Sequence, residues 1–182
     1  MKSIRHIGHS PVSLPLAADN IVEFHAARLL LLVSLCGTAN RIDGLTKMAK
    51  LDFFVRYPDF FAVAKKDQAP VSQSSEAVES AMVRHHYGPW DKRYYHILAY
   101  LESKKLIEIV KHKNSFIITL TADGKNIAVA LAAKPSFASL VERMKAVKIE
   151  FGSKSGSTLK KLIYILFDEE VGKKPLGEVI RR

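Results

Sequence analysis

Apolar residues follow different rules in different parts of this chain. Up to Leu16 they show no sustained period and are broken by two prolines, so residues 1–20 are expected to form an extended arm. From Ile21 to Leu35 the chain is apolar on more than one side of a helical wheel, as a helix at the centre of a core would be. Asn20 offers it an N-cap, with Glu23 three residues on, and Gly37 stops it. A second helix is expected over Leu45–Arg56, where Leu45, Met48, Leu51 and Val55 form a stripe. Tyr57 precedes Pro58, and the residue before a proline disfavours helix. Asp52 lies inside the stripe, a costly place for a carboxylate unless it is paired and hydrogen-bonded. Arg56, one turn on, is the near candidate partner and Arg84 the distant one.

Asp67 to Ser80 is polar and serine-rich and reads as a mobile loop. MVRHHY then suggests a short strand, and GPW a turn in which Trp90 locks the chain against the first helix. From Asp91 a helix carries Tyr94, Ile97, Leu98 and Leu101 toward the core. Its other face presents Lys92, His96 and Ser103, with Arg93 and Tyr100 at the edge and Tyr95 also off the stripe. Leu106–Val110 and SFIITL form a hairpin whose tip is Lys111, His112 and Lys113. A helix follows from near Thr121, another from Pro135 with Phe137, Leu140, Val141, Met144 and Val147 inward, and a last one over TLKKLIYILF.

That order predicts a mainly α fold with a small β-hairpin: a winged helix-turn-helix followed by C-terminal helices. The winged-helix domain would span 21–133, including the loop 67–80, and the helical extension 134–182. In such a fold the helix from Asp91 occupies the recognition position and the hairpin is the wing. Lys92, Arg93, Lys111 and Lys113 become the candidate DNA contacts. Winged helices also serve as protein-docking modules, so fold alone does not give function.

Composition narrows this picture. The chain has 182 residues, 48% of them hydrophobic, enough to bury a core. Its net charge of +10 favours a polyanionic partner or an acidic protein face, although a basic protein need not have either. The longest apolar run, Leu29–Val33, falls far short of the ~18 residues a membrane span needs. No signal sequence is evident, and a cytoplasmic protein is expected. Cys36 is alone among apolar neighbours and reads as a buried thiol.

Catalytic patterns are missing. His85 and His86 are adjacent, so on a strand they point to opposite faces, and no HExxH or paired cysteine accompanies them. Gly152 and Gly156 lack phosphate-loop spacing, and Ser157-Thr158 stands where that loop has its lysine. Ser155 or Ser157 is better read as a helix N-cap. Asp168, Glu169 and Glu170 are consecutive and do not suggest convergence on a metal pair. No catalytic, metal or cofactor residue is assigned. Tyr95, His96 and Tyr100 are candidate partner contacts, with Asp52, Arg56, Arg84 and Trp90 structural.

Three blocks carry a resemblance: LTKMAKLDFFVRYPDFF, RHHYGPWDKRYYHILAYLESKKLIE and SGSTLKKLIYILFDEEVGKKPLGEVI. Together they resemble the middle components of bacterial ABC-three-component systems, the Lamassu-type anti-phage operons. They span most of Leu45–Ile180, and YGPWDKRYY is the most specific part. The family has Arg or Lys before the tyrosine of the middle block; this chain has His86, so no charge-pair role is transferred there. The resemblance implies a non-catalytic adaptor that binds the head-proximal part of an SMC-like ABC ATPase in the manner of kleisin or winged-helix accessory subunits. It also implies a role in restraining an effector subunit until foreign DNA is sensed. Double-stranded DNA, bound without sequence preference, is a further expected partner. The alternative is a free-standing winged-helix transcriptional regulator, which would dimerise on a palindrome.

Overall fold

The computed structural model describes residues 21–65 and 81–180. The expected arm, the Asn20 cap and the Asp67–Ser80 loop lie outside the described residues. The chain runs α1 (Val22–Cys36), β1 (Arg41–Asp43), α2 (Leu45–Arg56), α3 (Pro58–Lys65), β2 (Val83–His85), β3 (Gly88–Trp90), α4 (Tyr94–Ser103), β4 (Ile107–His112), β5 (Ser115–Leu120), α5 (Ala122–Ala132), α6 (Ala138–Phe151) and α7 (Gly156–Leu166). It is mostly helical, with small antiparallel sheets.

The core is built on α1 and α2. Leu29 to Val33 are at most 1% exposed, as an all-round apolar helix requires. The segment Met48 to Val55 of α2 is buried without interruption, including Lys50 and Asp52. Helices α5 and α6 pack on α1, and α6 and α7 on α2. Leu140, Met144, Val147, Phe151, Leu159 and Ile163 therefore belong to the same core as α1. Each such side chain contributes about 1.5–3 kcal/mol. Phe53, Phe54, Phe60, Phe151 and Phe167 interlock edge-to-face or tilted at 4.4–6.4 Å.

Two elements lack strong sequence signals. β1 has three residues and follows a turn at Ala39 (φ 51°) and Asn40 (φ 59°), where no glycine marks the left-handed positions. α3 begins at Pro58; the proline that ends α2 also starts α3, because its missing N–H is no loss in a first turn.

In the larger sheet the strand order is β1–β5–β4. β4 and β5 pair from Ile107↔Leu120 to His112↔Ser115 across a two-residue turn, with Lys113 at φ 53°. The smaller sheet corrects the expected turn at GPW. Gly88–Trp90 is strand β3, paired with β2 from Val83↔Trp90 to His85↔Gly88, and the turn is His86-Tyr87. A further segment docks on β2: Gly177 N–H donates to Arg84 O, Arg84 N–H to Glu178 O, and Ile180 N–H to Met82 O.

Local signals behave as the sequence suggests at three points. Thr121 caps α5 by accepting from Gly124 N–H, and Ser155 caps α7 by accepting from Thr158 N–H. Cys36 is buried, donates to Met144 O at 3.3 Å, and its thiol is pushed up to about 12 by burial. Among the described residues, no helix is long and apolar enough to cross a membrane.

Candidate functional site

Two clusters of charge lie on opposite sides of α2. The first is buried between α1, α2 and the start of α4. Asp52 is fully buried and accepts 2.7 Å from the Tyr94 hydroxyl. Arg28 Nη1 lies 3.2 Å from the same carboxylate oxygen, and Arg56 Nη1 3.7 Å. Arg56 also reaches Asp91 at 2.8 Å. Asp91 takes bonds from Arg93 through its backbone N–H, Nε and Nη2, at 2.8–2.9 Å. Burial would raise the Asp91 carboxyl, but the Arg93 hydrogen bonds and the Arg56 charge hold it well below its ordinary range. Arg93 Nη1 sits 2.7 Å from His25 Nε2; a guanidinium only donates, so Nε2 accepts. Burial, then the Asp52 charge, keep the Tyr94 hydroxyl well above its usual value.

This network confirms Asp52 and Arg56 as a pair and corrects two expectations. The main partners of Asp52 are Arg28 and Tyr94. Arg84 is elsewhere: its guanidinium lies 5.1 Å from the Tyr164 ring centroid and donates to His85 O. Arg93 was expected to face DNA, yet it is turned inward on Asp91. The missed signal was Arg28 itself, a single cation in an otherwise apolar helical run, which implies a buried counter-charge.

The second cluster surrounds the β2–β3 hairpin. Lys50 is fully buried, and its Nζ donates to Pro89 O at 2.7 Å. Gly88 holds φ 90°, a conformation strained for any side chain, and a Cβ there would press on Lys50 Nζ at 3.2 Å. Burial pushes the Lys50 ammonium down to about 7, helped by the charges of Lys160 and Arg84. Lys160 donates to His86 O at 2.9 Å and lies 5.6 Å from the ring centroids of both Tyr87 and Tyr164. Among the described residues, none of Lys50, Arg84 and Lys160 has a carboxylate partner. Their positive charge is held by backbone carbonyls and aromatic faces instead.

Beside this cluster opens a cleft of about 350 Å³. The tip of the β4–β5 hairpin (Asn114, Ser115, Phe116) forms one wall, and Tyr87, Trp90 and Tyr95 another. Its remaining wall is the first turn of α2 with the start of α7. Those two helix starts touch: a Cβ on Gly156 would come 2.7 Å from the Lys47 backbone nitrogen, so only glycine fits. Both helices therefore direct their positive ends to one place.

The other candidate residues fall as follows. The helix expected from Asp91 begins at Tyr94, so Lys92 lies exposed in the turn before α4, while Tyr95 and His96 are exposed on α4 itself, Tyr95 to 61%. Lys111 and Lys113 are exposed at the tip of the β4–β5 hairpin. Tyr100, expected as a partner contact at the edge of the outer face, is half-buried against the core with Lys104 Nζ 5.6 Å from its ring centroid. Trp90 was expected against α1. Its ring instead stacks on His85 at 5.1 Å and meets Tyr94 edge-on at 5.2 Å. Among the described residues, no three His, Cys, Asp or Glu side chains converge as a metal site would require. The chain matches no family model, no curated protein and no solved structure.

Proposed function

We propose that this chain is a non-catalytic adaptor subunit of a DNA-sensing anti-phage defence complex, acting in the cytoplasm. It binds an SMC-like ABC ATPase and helps restrain an effector subunit. The fold behind the reading is a winged helix, with α4 in the recognition position and β4–β5 as the wing. The sheet order β1–β5–β4 supports that description.

The observation that carries the adaptor reading is the outer face of α4. Of the two basic residues in the turn that leads into α4, Arg93 is held by Asp91, leaving Lys92 with Tyr95 and His96 outside. A helix that reads a major groove uses several cationic or amide side chains on base edges. This one offers an aromatic ring beside a cation and an imidazole, a composition enriched where proteins dock. The three sequence blocks that resemble the Lamassu-type middle components favour the same reading.

The test is to tag the chain in its native host and purify it with its associated proteins. An SMC-like ATPase recovered in stoichiometric amount is the expected result. Recovery of the chain alone, as a dimer on a palindromic DNA site, overturns the proposal in favour of a transcriptional regulator.

A further inference from the structure

The cleft between the tip of the β4–β5 hairpin and the β2–β3 hairpin shares Tyr95 with the outer face of α4, but its other lining residues have no part in the docking of α4 on an ATPase. We propose that it binds one unpaired nucleotide of a single-stranded nucleic acid, its base stacked between Tyr87 and Tyr95 and its phosphate beside Lys160. The inference goes beyond the adaptor reading and does not rest on it.

Size is the first argument. A volume of about 350 Å³ is at the small end of ligand sites and suits a single nucleoside, whereas a duplex is far wider. Ring exposure is the second. Tyr87 is 52% exposed and Tyr95 61%, so the core does not account for them, while Trp90 at 4% closes the floor. Aromatic side chains flanked by cations are how proteins hold bases and backbone of a single strand, because every base has a π face. The Asp and Glu side chains of an acidic peptide match the phosphate's charge but carry no ring to stack.

Charge is the third argument. Lys160 lies next to Tyr87 without a carboxylate partner, with Lys50 and Arg84 adding to its field. Across the cleft, Lys111 and Lys113 flank the wing residues that form the facing wall. The lining includes one carboxylate, Asp43, which Arg41 Nε neutralises at 3.2 Å. Nothing else in the wall is anionic.

Trp90, the sequence's only tryptophan, makes the proposal directly readable. The full-length chain, without an ATPase, is titrated with a short fluorescein-labelled oligothymidylate while anisotropy and Trp90 emission are followed. Emission should be quenched in step with anisotropy. Tyr87→Ala and Tyr95→Ala should each weaken binding about tenfold, and Tyr87→Phe and Tyr95→Phe should restore it. Lys160→Gln should lower the slope of log K against log salt by about 0.7, the value for one phosphate of a single strand. If an alanine variant unfolds, wild-type Trp90 quenching and the phenylalanine variants still decide. Three results overturn the proposal: binding with Trp90 emission unchanged, displacement by poly-glutamate as effective as by unlabelled oligothymidylate, or equal affinity for a blunt duplex. Thymidine monophosphate competing as tightly as the oligomer also overturns it, in favour of a free-nucleotide site. Absence of an ATPase in the pull-down bears on none of these outcomes.

Discussion

Two groups of buried or half-buried cations flank the same helix, and they are held in opposite ways. Around Asp52 and Asp91, Arg28, Arg56 and Arg93 meet carboxylates at 2.8–3.7 Å. Around the β2–β3 hairpin, Lys50, Arg84 and Lys160 meet carbonyl oxygens and rings only. In the first cluster each charge has a reason to be there that the fold itself supplies. In the second, folding concentrates like charge, which is a cost to stability that a bound anion would offset. Compensated charge reads as architecture, and uncompensated charge beside a cleft reads as a site.

The largest expected effect tests the compensated side. Asp52→Ala leaves Arg28 and Arg56 buried without one of their carboxylates and should destabilise by about 3–5 kcal/mol in urea unfolding. A melt close to wild type would mean that Asp91 alone suffices for the guanidiniums.

The mirror experiment removes the buried cation from the other side. Lys50→Met keeps the volume and deletes an ammonium that no carboxylate pairs, so it should stabilise by about 1–4 kcal/mol at neutral pH. The pH dependence gives a second handle. Folding lowers the Lys50 value from 10.5 to about 7. Between those values the unfolded chain holds the proton and the folded chain does not, so stability rises with pH, by about 1.4 kcal/mol per unit. Lys50→Met should flatten that rise between about pH 7.5 and 9.5. Loss of stability in this variant would erase the contrast between the clusters.

Tyr100→Ala should lower the stability of the isolated chain by about 1 kcal/mol, because the ring is packed against the core. A normal melt with weakened ATPase binding would return Tyr100 to the docking face. The smallest effect on folding belongs to Lys111→Ala with Lys113→Ala, which are exposed and should leave the melt unchanged. Their signature is in binding: the salt slope for a single strand should fall by about 0.7 for every phosphate that a lysine no longer neutralises. An unchanged slope would detach the β4–β5 hairpin tip from the cleft.

How far the sequence goes also divides along these clusters. Asp52 stood out because a carboxylate interrupts an apolar stripe, and its near partner followed from i, i+4 spacing. Lys50 carried no such mark. A stripe assumes that α2 has a wet side, and α2 is buried all round from Met48 to Val55, so a lysine that the wheel assigns to solvent is inside. The β4–β5 hairpin was legible from β-branched runs around a basic turn. The hairpin β2–β3 was half legible, because Gly88-Pro89-Trp90 has turn composition and becomes a strand only through pairing with β2. The cleft was not legible at all: it joins residues from several separate elements, and only the tertiary fold brings the starts of α2 and α7 together.

The docking of residues 177–180 on β2 has a consequence for the order of events at synthesis. Tyr57 hydroxyl accepts from Met82 N–H at 2.7 Å and lies 3.4 Å from Ile180 O, so α2's end, β2 and this late segment close on one another. Val83 faces Val179 across the same junction. A ribosome-bound chain lacking that segment presents β2 with an open edge, and such edges recruit strands from other molecules. Contacts of this sequence separation also form late and slowly. The hairpin that carries Tyr87 and Trp90 is thus sealed only after residues 177–180 have been made, and ribosome-stalled chains ending before Gly177 should depend more on chaperones than chains that include them.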